Sequence, residues 1–88
     1  MKLFHLQQKS TAKKPARRTL TKEDILLAQR IKQLRQERGF TQEELSDLLG
    51  VNTSYITQVE AGQQGVSLPM VYRLAKIFHL SLHEFFSF

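Results

Sequence analysis

The stretch Thr41–Gly62, TQEELSDLLGVNTSYITQVEAG, holds start and stop signals for two short helices, and it limits the fold more than any other part of the chain. Thr41 can N-cap a helix while Glu44, three residues on, closes the reciprocal capping box that satisfies first-turn amides. Leu45, Leu48 and Leu49 follow at helical spacing on one face, and Gly50 stands where a left-handed residue ends a helix. Only about two turns fit between those signals. Asn52 offers a second N-cap, Ile56 and Val59 recur as on a helix packed along one stripe, and Gly62 is the second stop. Caps this close force the two helices to cross at a steep angle, which leaves Thr53, Ser54, Thr57 and Gln58 on an outward polar face.

Helices are expected on both sides of this pair. Thr21 begins the first, with Glu23 and Asp24 in the turn where the helix dipole favours negative charge. Leu27, Ala28, Ile31 and Leu34 form its buried stripe, Arg35 and Arg38 fall in its last turn, Gly39 ends it, and Phe40 packs under the corner. After the loop QQGV, Ser67 is an N-cap candidate, and Pro69 is tolerated in a first turn that needs no intrahelical amide bond. Val71, Leu74, Ala75 and Phe78 make the apolar face of this helix, which Leu68, Ile77 and Leu80 widen. His79 takes the stop position, since His visits the left-handed region more readily than most residues. Ser81 and Glu84 form another capping box, opening a short final helix that carries Leu82, Phe85, Phe86 and Phe88.

The fold class read from these signals is all-α, five helices over residues 20–88, preceded by a flexible basic arm over residues 1–19. At 88 residues there is room for one small domain and no catalytic cleft of ordinary size. No Cys is present, so neither a disulfide nor a cysteine zinc cluster can brace it. No apolar run approaches the roughly 20 residues that span a membrane, and no secretory h-region is visible, so a soluble cytoplasmic protein is expected. The formal charge is +5, but its distribution matters more than its sum. Residues 1–22 hold seven Lys and Arg and no acid, whereas residues 23–88 hold six basic and eight acidic residues. A polyanion would therefore be met largely by the arm and by a few placed residues in the helices, and the basic, acid-free composition of that arm also fits a mitochondrial transit peptide, although Pro15 interrupts the run.

The segment RIKQLRQERGFTQEELSDLLGVNTSYITQVEAG resembles the helix-turn-helix domains of the phage-repressor and Cro family. The segments STAKKPARRTLTKEDILLAQRIK and LAKIFHLSLHEF resemble, more narrowly, the arm with first helix and the last two helices of its lambda-repressor-like branch. The resemblance implies a five-helix bundle whose third helix, about Asn52 to Ala61, lies in the DNA major groove. It implies base contacts from Thr53, Ser54, Thr57 and Gln58, chemistry that suits them: Gln can bond adenine in a bidentate way, and Thr can touch a thymine methyl. Phosphate contacts are expected from Gln42, Asn52 and Tyr55, with Arg38 and Lys32 as further candidates, and the arm cations Lys13, Lys14, Arg17 and Arg18 are expected to follow a groove. Arg35 and Glu60 match a structural salt bridge of some family members. One departure is clear, for no Lys or Arg occurs from Asn52 to Tyr72, including the loop where relatives often place cations.

Relatives of this type bind two half-sites as symmetric dimers, and Leu82, Phe85, Phe86 and Phe88 offer a patch that pairs with a second copy or else closes the core. The function expected is a homodimeric transcriptional repressor on a palindromic double-stranded DNA operator. Alternatives are a regulator that contacts a protein partner, such as an antitoxin, and a restriction-modification controller. Enzyme chemistry lacks a Cys nucleophile and a phosphate-loop signature, and no cofactor is implied. His79 and His83 are four residues apart, but the helix break at His79 removes the geometry a metal pair needs.

Overall fold

The computed structural model describes residues 20–88, which form α1 (Lys22–Glu37), α2 (Gln42–Leu49), α3 (Thr53–Glu60), α4 (Leu68–Ile77) and α5 (Leu82–Phe85). Four of the five helix starts carry a local side-chain cap. Thr21, Thr41 and Ser81 each accept the amide three residues on, and Asp24, Glu44 and Glu84 return a carboxylate to the cap amide, so all three close a capping box. Ser67 caps α4 in one direction only, bonding the Met70 amide. Asn52 departs from the expectation: it occupies the N-cap position of α3, but its side chain makes no capping bond.

The stops are equally local. Gly50 ends α2 at φ 72°, and its amide returns to the Asp47 and Ser46 carbonyls. His79 sits at φ 58° after α4, the one non-glycine residue with positive φ among the described residues. The connection between α2 and α3 is thus a single left-handed residue followed by Val51 and Asn52, which is too short for anything except a sharp crossing.

The core is built from Ile31 and Leu34 of α1, Leu45 and Leu49 of α2, Ile56 and Val59 of α3, Val71, Leu74 and Ala75 of α4, and Phe78 and Phe85 beyond. Helix α3 packs on α2 and α1, α4 on α2, and α5 on α4. Burying these side chains at about 1.5–3 kcal/mol each offsets the chain entropy, which no eight-residue helix offsets alone. Two apolar assignments from the pattern are corrected here. Leu48 is 54% exposed and Leu68 61% exposed, so neither belongs to the core. The buried sector of α2 is centred between Leu45, Leu49 and Ser46, about 110° around the helix from Leu48. Leu68 stands at the first position of α4, a turn before the first residue of that helix to enter the core, Val71.

The C-terminal aromatics divide. Phe85 is fully buried and stacks on Phe78 at 6.5 Å, while Phe86 meets it edge-on at 5.4 Å and remains 44% exposed. Phe88 is 57% exposed. Phe85 is therefore withdrawn from the surface patch to which its sequence position assigned it: its ring closes the bottom of the core, and only Leu82, Phe86 and Phe88 keep any outward area.

Candidate nucleic-acid interface

Helix α3 buries Ile56 and Val59 and turns Ser54, Thr57 and Gln58 outward. Beside them an open groove of about 670 Å³ is lined by Asn52, Ser54, Tyr55, Gln58 and Gln64, with Asp47, Gly50 and Val51 at its α2 side. Tyr55 is partly buried, and that burial pushes its phenol above the ordinary value, so at neutral pH it is an O–H donor on the groove wall. The Asn52 carboxamide, free of the capping role, is exposed on the same groove.

Behind this face, side-chain bonds fasten α3 to its neighbours. Arg35 Nε donates to Glu60 Oε2 at 2.6 Å, Arg35 Nη2 donates to Glu60 Oε1 at 2.9 Å, and Arg35 Nη1 donates to the Phe40 carbonyl at 2.8 Å. The structure thus brings Arg35 and Glu60 together in a two-pronged pair, with side chains only 11% and 3% exposed. Gln42 Nε2 adds a third bond to Glu60 Oε1 at 3.0 Å, while Gln42 Oε1 accepts from Thr57 Oγ1 at 2.8 Å. One turn earlier on α3, Thr53 Oγ1 lies 3.1 Å from Ser46 Oγ, and Ser46 itself donates to the Glu43 carbonyl at 2.8 Å. No buried side-chain nitrogen or oxygen among the described residues lacks a partner.

Two residues expected at phosphate also make bonds within the fold. Both ends of the Gln42 amide are held, and Arg38 Nη2 donates to the Phe78 carbonyl at 2.8 Å while its guanidinium lies over the Phe78 ring at 5.9 Å. Lys32 is exposed on α1. Lys13, Lys14, Arg17 and Arg18 lie outside the described residues.

The pattern extends to the other arginines, which no sequence signal singles out. Arg30 donates to the Phe85 and Glu84 carbonyls at the end of α5, and Arg73 donates to the Leu49 carbonyl at the end of α2. Every arginine from Leu20 onward therefore reaches a carbonyl near a helix end, where cationic donors are favoured. Their hydrogen-bond partners are 24 to 55 residues away in sequence, apart from the Arg35–Phe40 bond, so no local spacing signals them. Ser46 escapes sequence reasoning for a different reason. It is fully buried, yet a serine following Leu45 reads as a surface position, and only its place one turn beyond Gln42 hints that the two share a face.

A helix pair joined by a tight left-handed turn, a polar outer face on its second helix and three supporting helices define a helix-turn-helix DNA-binding module of the kind found in transcriptional regulators. The chain belongs to the Helix-turn-helix family HTH_3, whose model matches residues 31–85. It is 36% identical over 59 residues to an HTH-type transcriptional regulator of Archaeoglobus fulgidus, covering 67% of this chain and 84% of that one. It is 41% identical over 58 residues to the HTH-type transcriptional regulator PrpR of Mycobacterium tuberculosis, a match that spans 66% of this chain but 12% of PrpR. Among solved structures, the restriction-modification controller protein C.AhdI of Aeromonas hydrophila superposes with a TM-score of 0.68 at 35% identity, covering 75% of this chain and all of C.AhdI. The biofilm master regulator SinR, solved in complex with DNA, superposes with a TM-score of 0.61 at 32% identity over 67% of this chain and 95% of SinR.

Proposed function

We infer that this DNA-binding regulator is a homodimeric repressor that reads a palindromic operator with α3 in the major groove. The observation that carries this reading is the outer face of α3: exposed Ser54, Thr57 and Gln58 stand beside an open polar groove, on a helix tied to α1 and α2 by a bonded network. Gln58 and Ser54, with Thr53 and Thr57, address base edges, while Asn52, Tyr55 and Lys32 address the sugar-phosphate backbone. Gln42 and Arg38 support the fold behind them. The exposed Phe86 and Phe88 rings, with the partly buried Leu82 beside them in sequence, are the surface through which two copies meet, placing two reading helices about 34 Å apart.

The cations needed for affinity come from elsewhere. With the arginines of the folded part turned to carbonyls, phosphate neutralisation rests on the lysines and on the arm residues Lys13, Lys14, Arg17 and Arg18. Selection from random duplex DNA, followed by footprinting, tests the reading. Recovery of a two-fold symmetric site with half-site centres about one helical turn apart supports it, and absence of any enriched sequence at low salt overturns it. Deleting residues 1–18 is expected to flatten the salt dependence by about 0.9 log unit for each phosphate that the arm neutralises, and an unchanged slope would remove the arm from the mechanism.

The match to the whole of C.AhdI favours a second reading, in which the regulated genes are those of a restriction-modification system. Selected sites lying beside restriction and modification genes in the source genome would favour the controller, and sites elsewhere would exclude it.

A further inference from the structure

The network behind α3 does more than hold the helix, because it dictates which way two hydroxyl protons point. The carboxylate of Glu60, clasped by Arg35, can only accept, so the Gln42 amide must turn Nε2 toward it at 3.0 Å. That orientation puts Gln42 Oε1 against Thr57 Oγ1 at 2.8 Å. A carbonyl oxygen can only accept, so the single Thr57 proton is donated inward, to Gln42 and more weakly to the Thr53 carbonyl at 3.2 Å. The exposed side of the Thr57 hydroxyl is left with lone pairs and no proton.

The same logic governs Thr53 through a separate set of bonds. Ser46 is fully buried, and its one proton goes to the Glu43 carbonyl at 2.8 Å. In the 3.1 Å contact between Ser46 Oγ and Thr53 Oγ1, either hydroxyl could donate by geometry alone, but with the Ser46 proton already engaged Thr53 must be the donor. Both threonines, four residues apart on one face of α3, are thereby fixed as acceptors toward anything approaching from outside.

We propose that Thr53 and Thr57 are specificity-determining acceptors, polarised by α2, that select bases presenting an exocyclic amine in the major groove. Only adenine N6 and cytosine N4 offer such donors there, whereas guanine O6 and N7 and thymine O4 are acceptors and would face lone pairs with lone pairs. A free threonine hydroxyl rotates to suit either kind of base, so the discrimination comes from the buried partners. Ser46 and Gln42 thus act on sequence choice as positioning residues, through the hydroxyl protons that they orient. This inference rests on the DNA-reading role proposed for α3.

The test is selection from random duplex DNA by the full chain and by Thr57→Val and Gln42→Met, followed by competition binding with single-base changes. Thr57→Val alters a surface position and keeps the shape of the side chain, and circular dichroism verifies that it folds. The position at which its base preference departs from the parent identifies the base that Thr57 reads. There, the parent is expected to favour adenine or cytosine over the guanine or thymine substitution by about fivefold or more, and Thr57→Val by less than about twofold. Gln42→Met removes the stronger acceptor and leaves the Thr57 proton only the 3.2 Å contact to the Thr53 carbonyl, so its preference at that position is expected to relax part of the way toward guanine and thymine while preferences at the Gln58 position persist. A parent preference for guanine or thymine opposite Thr57, or a Thr57→Val selection identical to that of the parent, would overturn the proposal. Gln42→Met retaining full discrimination at that position would overturn the polarising role of Gln42. Absence of any enriched sequence for the parent would instead refute the DNA-reading role itself, so the two failures are told apart.

Discussion

Replacing Glu60 by Ala is the sharpest single perturbation of this fold. Glu60 is the hub of the clamp: it accepts two bonds from Arg35 and one from Gln42, with its side chain 3% exposed. Without it, the Arg35 guanidinium stays nearly enclosed with only the Phe40 carbonyl as partner, and Gln42 Nε2 has no acceptor. Truncating one side of a buried pair costs about 3–5 kcal/mol, mostly from the charge left behind, and the 11% exposure of Arg35 argues for the lower end. For a domain of this size about 3 kcal/mol corresponds to a fall in Tm of roughly 12–24 °C. A double-mutant cycle with Arg35→Ala, followed by urea unfolding, isolates the pair. Because the double variant removes both charges, it is expected to be less destabilised than the sum of the singles by well over about 1 kcal/mol, and replacing the pair by Met and Leu is expected to restore most of the stability. Single variants that each cost under about 1 kcal/mol, with no coupling, would show that the pair behaves as an exposed surface bridge and would refute the clamp.

Three further outcomes follow from particular residues. Phe85→Ala is expected to cost about 3–5 kcal/mol in denaturant unfolding because it empties a fully enclosed site, whereas Phe88→Ala is expected to leave monomer stability within about 0.5 kcal/mol. In sedimentation, Phe88→Ala is expected to weaken dimerisation, and an unchanged association constant would remove that ring from the interface. His79→Gly is expected to stabilise by about 0.5–1 kcal/mol, the relief of a left-handed β-carbon offset in part by a more flexible unfolded chain; a loss of stability would mean that the imidazole contributes something its position does not reveal. Glu84 is held below the usual glutamate value chiefly by the Ser81 amide and then by the Ser81 hydroxyl. Its contribution to α5 is therefore present at neutral pH and disappears as pH falls through that lowered value. Carboxyl titration by NMR is expected to show Ser81→Ala moving Glu84 upward, and an unmoved titration would exclude the hydroxyl as a cause.

Helix α3 and the turn before it illustrate how far a sequence carries. The Thr41–Glu44 box, the left-handed Gly50, the stop at Gly62 and the outward Ser54, Thr57 and Gln58 are all written in residues a few positions apart, because a cap or a turn involves neighbours in the chain. The Arg35–Glu60 pair was reachable only through family resemblance, since nothing local joins residues 25 positions apart. Leu48 shows the limit of periodicity in an eight-residue helix: three leucines name a broad face, and the neighbouring helices decide which part of it is covered.

By itself, then, the sequence determined where helices begin and end, that the second and third must cross sharply, and that the third presents a polar face, since these rest on bonds within one turn of chain. Only the tertiary structure decided that Ser46 lies in the core, that Phe85 belongs inside while Phe86 and Phe88 stay out, and that Arg30, Arg38 and Arg73 cap distant helix ends. It also decided that Gln42 points inward and fixes the Thr57 proton. The physical reason is common to all of these. Burial and long-range hydrogen bonding depend on which surface another helix covers, and that is settled when the helices pack.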